Sequence, residues 1–266
     1  MIPTATIAAL EQCWSSIDEL CASLTEAQWK SATDLPGWSV QDNLSHLIAI
    51  ERMMAGHPPT THRAVDLSNT RNPIGEHNEH EVDVRRPLAG AAVFAEWQQV
   101  SAERLAQLHA ADDAYFDTPA MTPVGPGTVA DFLHVRVLDC WVHEQDMRRA
   151  VGISGNLSGP AAELTVDRLL RTVPMVVGKR AATPEGSAVV LSVTGGVERT
   201  ITCEVVGGRA AVVERPTSSP LCELRLDVEA FVVLATGRRQ PSDVTAELAG
   251  DTRHAATVLQ QLNMMI

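Results

Sequence analysis

Asp139 and His143 stand four residues apart in the run Arg136-Val137-Leu138-Asp139-Cys140-Trp141-Val142-His143. On a helix that spacing puts a carboxylate and an imidazole about 40° apart on nearly one face, a turn from each other. Together they can hold one cation. Arg136 and Asp146 extend the same strip, and the apolar neighbours Phe132, Val137, Cys140 and Met147 turn it toward the interior. With 33 acidic residues and nine histidines in 266 positions, roughly one such pair arises by chance. An isolated pair is more often an ordinary i,i+4 hydrogen bond than a ligand set, so a metal site needs a third donor.

His46 is the candidate. It lies in Leu44-Ser45-His46-Leu47-Ile48, on a stripe with Asn43, Ile50 and Met53 that is mostly apolar and therefore inward. Two histidines and a carboxylate with a fourth position open form a catalytic zinc set, and the same donors suit non-haem iron or nickel. The alternative is a buried neutral imidazole bonded to a nearby carbonyl or carboxylate. Distance separates the two: one ion with bonds of about 2 Å cannot bridge imidazoles more than about 8 Å apart.

Other chemistries lack their residues. There is no Gly-rich phosphate loop, Gly-x-Ser-x-Gly elbow or dinucleotide fingerprint, and His143-Glu144-Gln145-Asp146-Met147 has Met where a zincin needs His. Cys140 points about 100° away from Asp139, which favours core packing over a nucleophilic role. His57, His62, His77 and His80 fall in a polar stretch and read as solvated; His109 and His134 belong to no ligand pattern in the sequence.

The elements that must carry these residues are helical up to residue 151. Ile7, Leu10, Trp14, Ile17, Cys21 and Leu24 mark one helix face. Ser39 and Asp42 make a capping box for a second helix that runs to about Met54 and stops near Gly56 and Pro58-Pro59. A long crossover over 57–86 follows, with a short helix near 76–84. A third helix spans about Pro87 to His109, and Thr128 caps a fourth that runs to about Val151 after the non-helical Thr122–Gly127. Such a four-helix bundle builds ligand sites from inward polar side chains on facing helices.

Residues 152–160 (GISGNLSGP) read as a linker. Beyond it a helix over about 160–177 precedes strands at Ala188–Val193, Val197–Val206, Arg209–Glu214 and Cys222–Leu226. Gly195-Gly196 and Gly207-Gly208 are expected as two-residue hairpin turns. Asp227 caps a helix ending at Gly237, and Asp251 one reaching about Met264. The fold class expected is a two-domain α+β protein: a bundle over 1–151, then over 160–266 a small antiparallel sheet with helices on one face.

Composition excludes several partners. The chain carries 21 basic and 33 acidic residues, net −12, without the clustered basic face a nucleic acid needs. No stretch reaches the roughly 18–20 apolar residues of a membrane span, and the N-terminal sequence lacks the pattern of a secretory signal. Five cysteines without a Cys-x-x-Cys pair read as reduced thiols. A soluble cytoplasmic protein is expected, a monomer or weak homodimer.

Two segments carry a family resemblance. Pro36-Gly37-Trp38-Ser39-Val40-Gln41-Asp42-Asn43-Leu44-Ser45-His46-Leu47 and Arg136-Val137-Leu138-Asp139-Cys140-Trp141-Val142-His143-Glu144-Gln145-Asp146 resemble the two hallmark segments of the DinB-like, mycothiol-dependent maleylpyruvate isomerase family. The C-terminal part looks like the sterol-carrier-like module that follows the bundle there. The resemblance implies a divalent metal, usually zinc, held by His46, Asp139 and His143, with mycothiol as cosubstrate and a small electrophile. One departure is Asp139, where the family's isomerase has Glu, one methylene longer. An anionic substrate would take a cation, for which Arg238 is the candidate; a helix-end Arg favoured by the dipole is the alternative.

The leading reading is thus thiol transfer to, or cis-trans isomerisation of, a small electrophile. A non-catalytic small-ligand-binding protein and a metal-dependent hydrolase with Glu144 or Asp146 as base are its competitors.

Overall fold

The computed structural model describes residues 1–264, which divide into two compact units, Met1–Asn156 and a second that begins at Leu157. The first is helical. It runs α1 (Thr4–Cys21), one-turn α2 (Glu26–Trp29), α3 (Val40–Met54), α4 (Pro73–Asp83), α5 (Gly90–Ala110) and one-turn α6 (Asp113–Phe116). A hairpin of β1 (Pro119–Thr122) and β2 (Gly125–Thr128) then leads into α7 (Val129–Val151). α1 packs on α5 and α7, and α3 packs on the same two helices, which makes the expected four-helix bundle. α4 occupies the crossover and lies against α3.

Local chemistry starts and stops these helices. The Asp42 carboxylate accepts from Ser39 N at 2.8 Å while Ser39 Oγ accepts from Asp42 N at 3.2 Å, the capping box of α3. Thr128 and Asp131 repeat it at α7, which ends at Gly152 with φ +70°. Leu10, Ile17, Leu44, Leu47, Ile48, Val93, Val137 and Trp141 fill the core. Trp14 and Trp97 meet edge-on with centroids 5.6 Å apart, and their indole N–H groups donate to Cys140 Sγ and Asp18 Oδ1. Large aromatic area is buried with each polar handle satisfied, which ties α1, α5 and α7 together.

The second unit opens with α8 (Pro160–Leu170), α9 (Val173–Met175) and a π-helical turn over Val176–Arg180. One helix through 160–177 was expected. It stops at Leu170 because Pro174 has no N–H to give and its ring crowds the carbonyl four residues back. The sheet holds β3 (Ala188–Thr194), β4 (Arg199–Val206), β5 (Arg209–Val212), β6 (Cys222–Asp227) and β7 (Glu247–Gly250), in the order β5-β4-β3-β6-β7. α10 (Val228–Ala235) and α11 (Thr252–Gln260) complete the unit.

The two-domain α+β class stands, with one correction: the sheet is mixed. β3 and β6 pair in parallel, from Val189 opposite Cys222 to Thr194 opposite Asp227, while the other pairs are antiparallel. Two hairpins carry the chain to one edge at β5, and the return over 213–221 brings β6 to the free side of β3 in the same direction. The Gly195-Gly196 turn is also longer than expected, running to Glu198, because Val197 is buried instead of pairing and Glu198 Oε1 accepts from Gly195 N at 2.9 Å. Gly207-Gly208, with φ of +62° and +73°, forms the expected two-residue turn. Along β6, Cys222, Leu224 and Leu226 are buried and the alternate residues exposed, so the helices cover one face. Among the described residues no helix is long and apolar enough to cross a membrane.

Candidate metal centre

Packing of α3 against α7 brings His46, Asp139 and His143 together although the first two are 93 residues apart. His46 Nε2 lies 3.3 Å from Asp139 Oδ2, and His143 Nε2 lies 3.5 Å from Asp139 Oδ1. The imidazole centroids are 4.8 Å apart, well inside the reach of one ion, and one ligand atom from each residue falls within 4.8 Å of the others. Both histidines are buried. Asp139 keeps 25% of its side chain exposed, so solvent reaches the cluster on its flank. Two imidazole nitrogens and a carboxylate oxygen converging without a backbone ligand fit a borderline divalent cation such as zinc.

Each donor is held from behind. His143 Nδ1 is 2.7 Å from Asn43 Oδ1. Arg136 Nη1 donates to Asp139 Oδ2, while its Nε donates to Glu51 Oε1 at 2.8 Å and its Nη2 to Cys140 Sγ at 3.3 Å. Burial alone would raise the Asp139 pKa, but the Arg136 guanidinium, with His46 beside it, holds the carboxyl well below the usual range. Burial lowers the His46 pKa although Asp139 opposes that. The Trp38 ring covers both imidazoles, with centroids 5.3 and 5.9 Å away, and its Nε1 donates to Glu79 Oε2 at 2.9 Å. Gly37 permits this turn: its φ is +81°, and a Cβ would lie 2.9 Å from Asn69 Nδ2.

A family model described as the mycothiol maleylpyruvate isomerase N-terminal domain matches residues 10–148, just over half of the chain. The chain belongs to that family. Two crystal structures of the mycothiol-dependent maleylpyruvate isomerase, one of them a histidine-to-alanine mutant, are similar to it at TM-score 0.55. Identities are 17% for the mutant and 16% for the other, and each match covers 91% of both chains, so the likeness is one of fold. No curated protein matches the chain in sequence.

Membership of the mycothiol maleylpyruvate isomerase family places the chain in a group of enzymes. The five cysteines are buried and unpaired. Burial pushes the Cys140 thiol up to about 12, and raises Cys13 and Cys21 as well, so none of the three offers a thiolate at neutral pH. Glu144 is committed elsewhere: it accepts from Ser16 Oγ at 2.6 Å, Arg148 Nε at 2.7 Å and Asn156 Nδ2 at 2.6 Å. Asp146 lies on the Nδ1 side of His143, at 3.7 Å, and accepts from Arg149. Neither candidate base of the hydrolase reading faces the donors.

Arg238 lies in the second unit, just after α10, where its Nη1 donates to the Thr236 carbonyl at 3.0 Å. His57 and His62 pair with Glu103 and Asp83, and His80 Nδ1 accepts from Ala64 N. Asn43, Glu51 and Arg104 around the cluster were not picked out from sequence as site residues. The available signal was a polar side chain on an otherwise apolar helix stripe, as at Asn43, three residues before His46.

Proposed function

We propose that the chain is a metal-dependent enzyme that uses an external low-molecular-weight thiol, mycothiol by family, to transfer to or isomerise a small electrophile. The convergence of three donor atoms within 4.8 Å carries this reading. His46, Asp139 and His143 would hold the cation; zinc suits them, and nickel and iron share the donor preference. When bound, such a cation makes a coordinating thiol a thiolate at neutral pH.

The chain's own groups support a borrowed nucleophile. Its cysteines are buried, so the attacking sulfur comes from outside. For a maleyl-type substrate the thiol adds across the cis double bond, the resulting single bond rotates, and elimination returns the thiol with a trans product. With other electrophiles the adduct is the product. Arg136 restrains Asp139, and the Trp38 ring excludes water from one side of the imidazoles. Arg238 is our candidate for binding an anionic substrate group, and Arg238→Gln would raise KM while leaving thiol affinity unchanged. The unpaired thiols support a reducing, cytoplasmic setting.

Calorimetry of mycothiol against the zinc-loaded protein tests this reading. Saturable binding that is lost in Asp139→Ala supports it. Equal heats with and without metal would contradict it and favour a carrier.

A further inference from the structure

The two imidazoles of the cluster are supported unequally. Asn43 cannot present its other face to His143, because its Nδ2 donates to the Ser39 carbonyl at 2.9 Å and to Thr33 Oγ1 at 3.2 Å. That hydroxyl places its own hydrogen on the Trp38 carbonyl at 2.9 Å, so toward Asn43 it can only accept. The amide oxygen is therefore the atom that meets His143 Nδ1, at 2.7 Å, and Nδ1 is the nitrogen that carries the proton. Asp146 Oδ2, the next acceptor, is 3.7 Å from Nδ1. With Nδ1 bonded to Asn43, Nε2 is the nitrogen turned toward Asp139 Oδ1, 3.5 Å away. Nε2 therefore points to the place where one ligand atom from each of the three residues converges within 4.8 Å.

His46 has no such support. Its Nδ1 is buried without a hydrogen-bond partner, and its Nε2 faces Asp139 Oδ2 at 3.3 Å.

We infer that Asn43 is the positioning residue of this site: it fixes His143 as the Nδ1–H tautomer with Nε2 presented for coordination, while His46 completes the ligand set unassisted. The inference rests on the proposed metal reading. It deepens that reading by assigning unequal roles to the two histidines, with His143 the anchor and His46 the ligand that yields first. Partners of this kind orient a metal-bound imidazole and raise its basicity.

The test has a metal-free arm and a metal arm. Long-range nitrogen-15 NMR on metal-free wild type should show His143 protonated at Nδ1; a His143 bare at Nδ1 overturns the inference whether or not any variant folds. In the metal arm, zinc is competed by a chelator against folded Asn43→Leu and Asn43→Asp. Asn43→Leu should bind zinc roughly 10–100-fold more weakly, and Asn43→Asp, which keeps an acceptor, should recover most of that. Asn43→Leu binding zinc as wild type does would overturn the positioning role. If wild type itself takes up no zinc, the metal reading fails, and the tautomer still decides what Asn43 does to His143.

Discussion

Arg136 and His46 meet the same oxygen of Asp139, Oδ2, and leave Oδ1 turned toward His143. The carboxylate is thereby oriented by a guanidinium that is itself clamped. Arg136 Nε bonds Glu51 Oε1 at 2.8 Å, and the other Glu51 oxygen lies 3.7 Å from Arg104 Nε. Arg104, Glu51 and Arg136 are all buried, so a line of alternating charge runs through the bundle interior and ends at Asp139. Asp139 is thus held in place from behind.

Removing one member of this line strands its partner. Arg136→Met leaves Glu51 with a buried charge that Arg104 meets only at 3.7 Å, at a cost of about 3–5 kcal/mol. Urea denaturation should show that loss, and Arg136→Lys, which keeps a cation beside Glu51, should lose less. Arg136→Lys as unstable as Arg136→Met would show that the charge at this position is not what Glu51 needs.

The acid limb of stability in metal-free protein should trace in part to His46. Burial depresses its folded-state pKa below the ordinary value of 6.5. The neutral form is favoured in the fold, so this contribution is fully present above pH 6.5 and is lost as pH falls toward the depressed value. Asp139, also depressed, adds a second loss at lower pH. Denaturation midpoints from pH 8 down to pH 5 should fall more steeply for wild type than for His46→Leu. Parallel slopes would remove His46 as the cause.

The thiols should be silent in the folded state. Burial raises Cys140 to about 12 and Cys203 and Cys222 to about 11. A chromogenic disulfide reagent at pH 7.5 should react with none until denaturant is added, and Cys140→Ala should keep thiol-dependent turnover. Rapid labelling coupled to loss of activity would reinstate an internal nucleophile.

Gly37→Ala should destabilise the bundle by about 1–2 kcal/mol, since φ of +81° is left-handed backbone. Its Cβ would also press on Asn69, which bonds the Glu79 carboxylate that holds Trp38. Denaturation should show the loss and tryptophan emission should shift; unchanged emission would free Trp38 from that turn.

Much of this arrangement was legible because it is local. Helix faces repeat every three to four residues, the capping boxes at Ser39 and Thr128 lie within three positions, and Asp139 and His143 share one helix turn. His46 joins them only through the packing of α3 on α7, which its apolar stripe made plausible without fixing. Glu51 and Arg104 escaped notice because buried charges look, in a helical pattern, like a solvated face. Strand alternation reports which face is buried and says nothing of direction, so the parallel β3–β6 pair was not foreseen. β7, four residues long and largely exposed, carried too little pattern to register.

Zinc stoichiometry and affinity of purified wild type, His46→Ala, Asp139→Ala and His143→Ala bear most directly on the whole account. About one equivalent of tightly held metal in wild type, with each replacement weakening it by an order of magnitude or more, is the predicted result. Wild type that holds no divalent ion, or variants that hold it equally well, would contradict it.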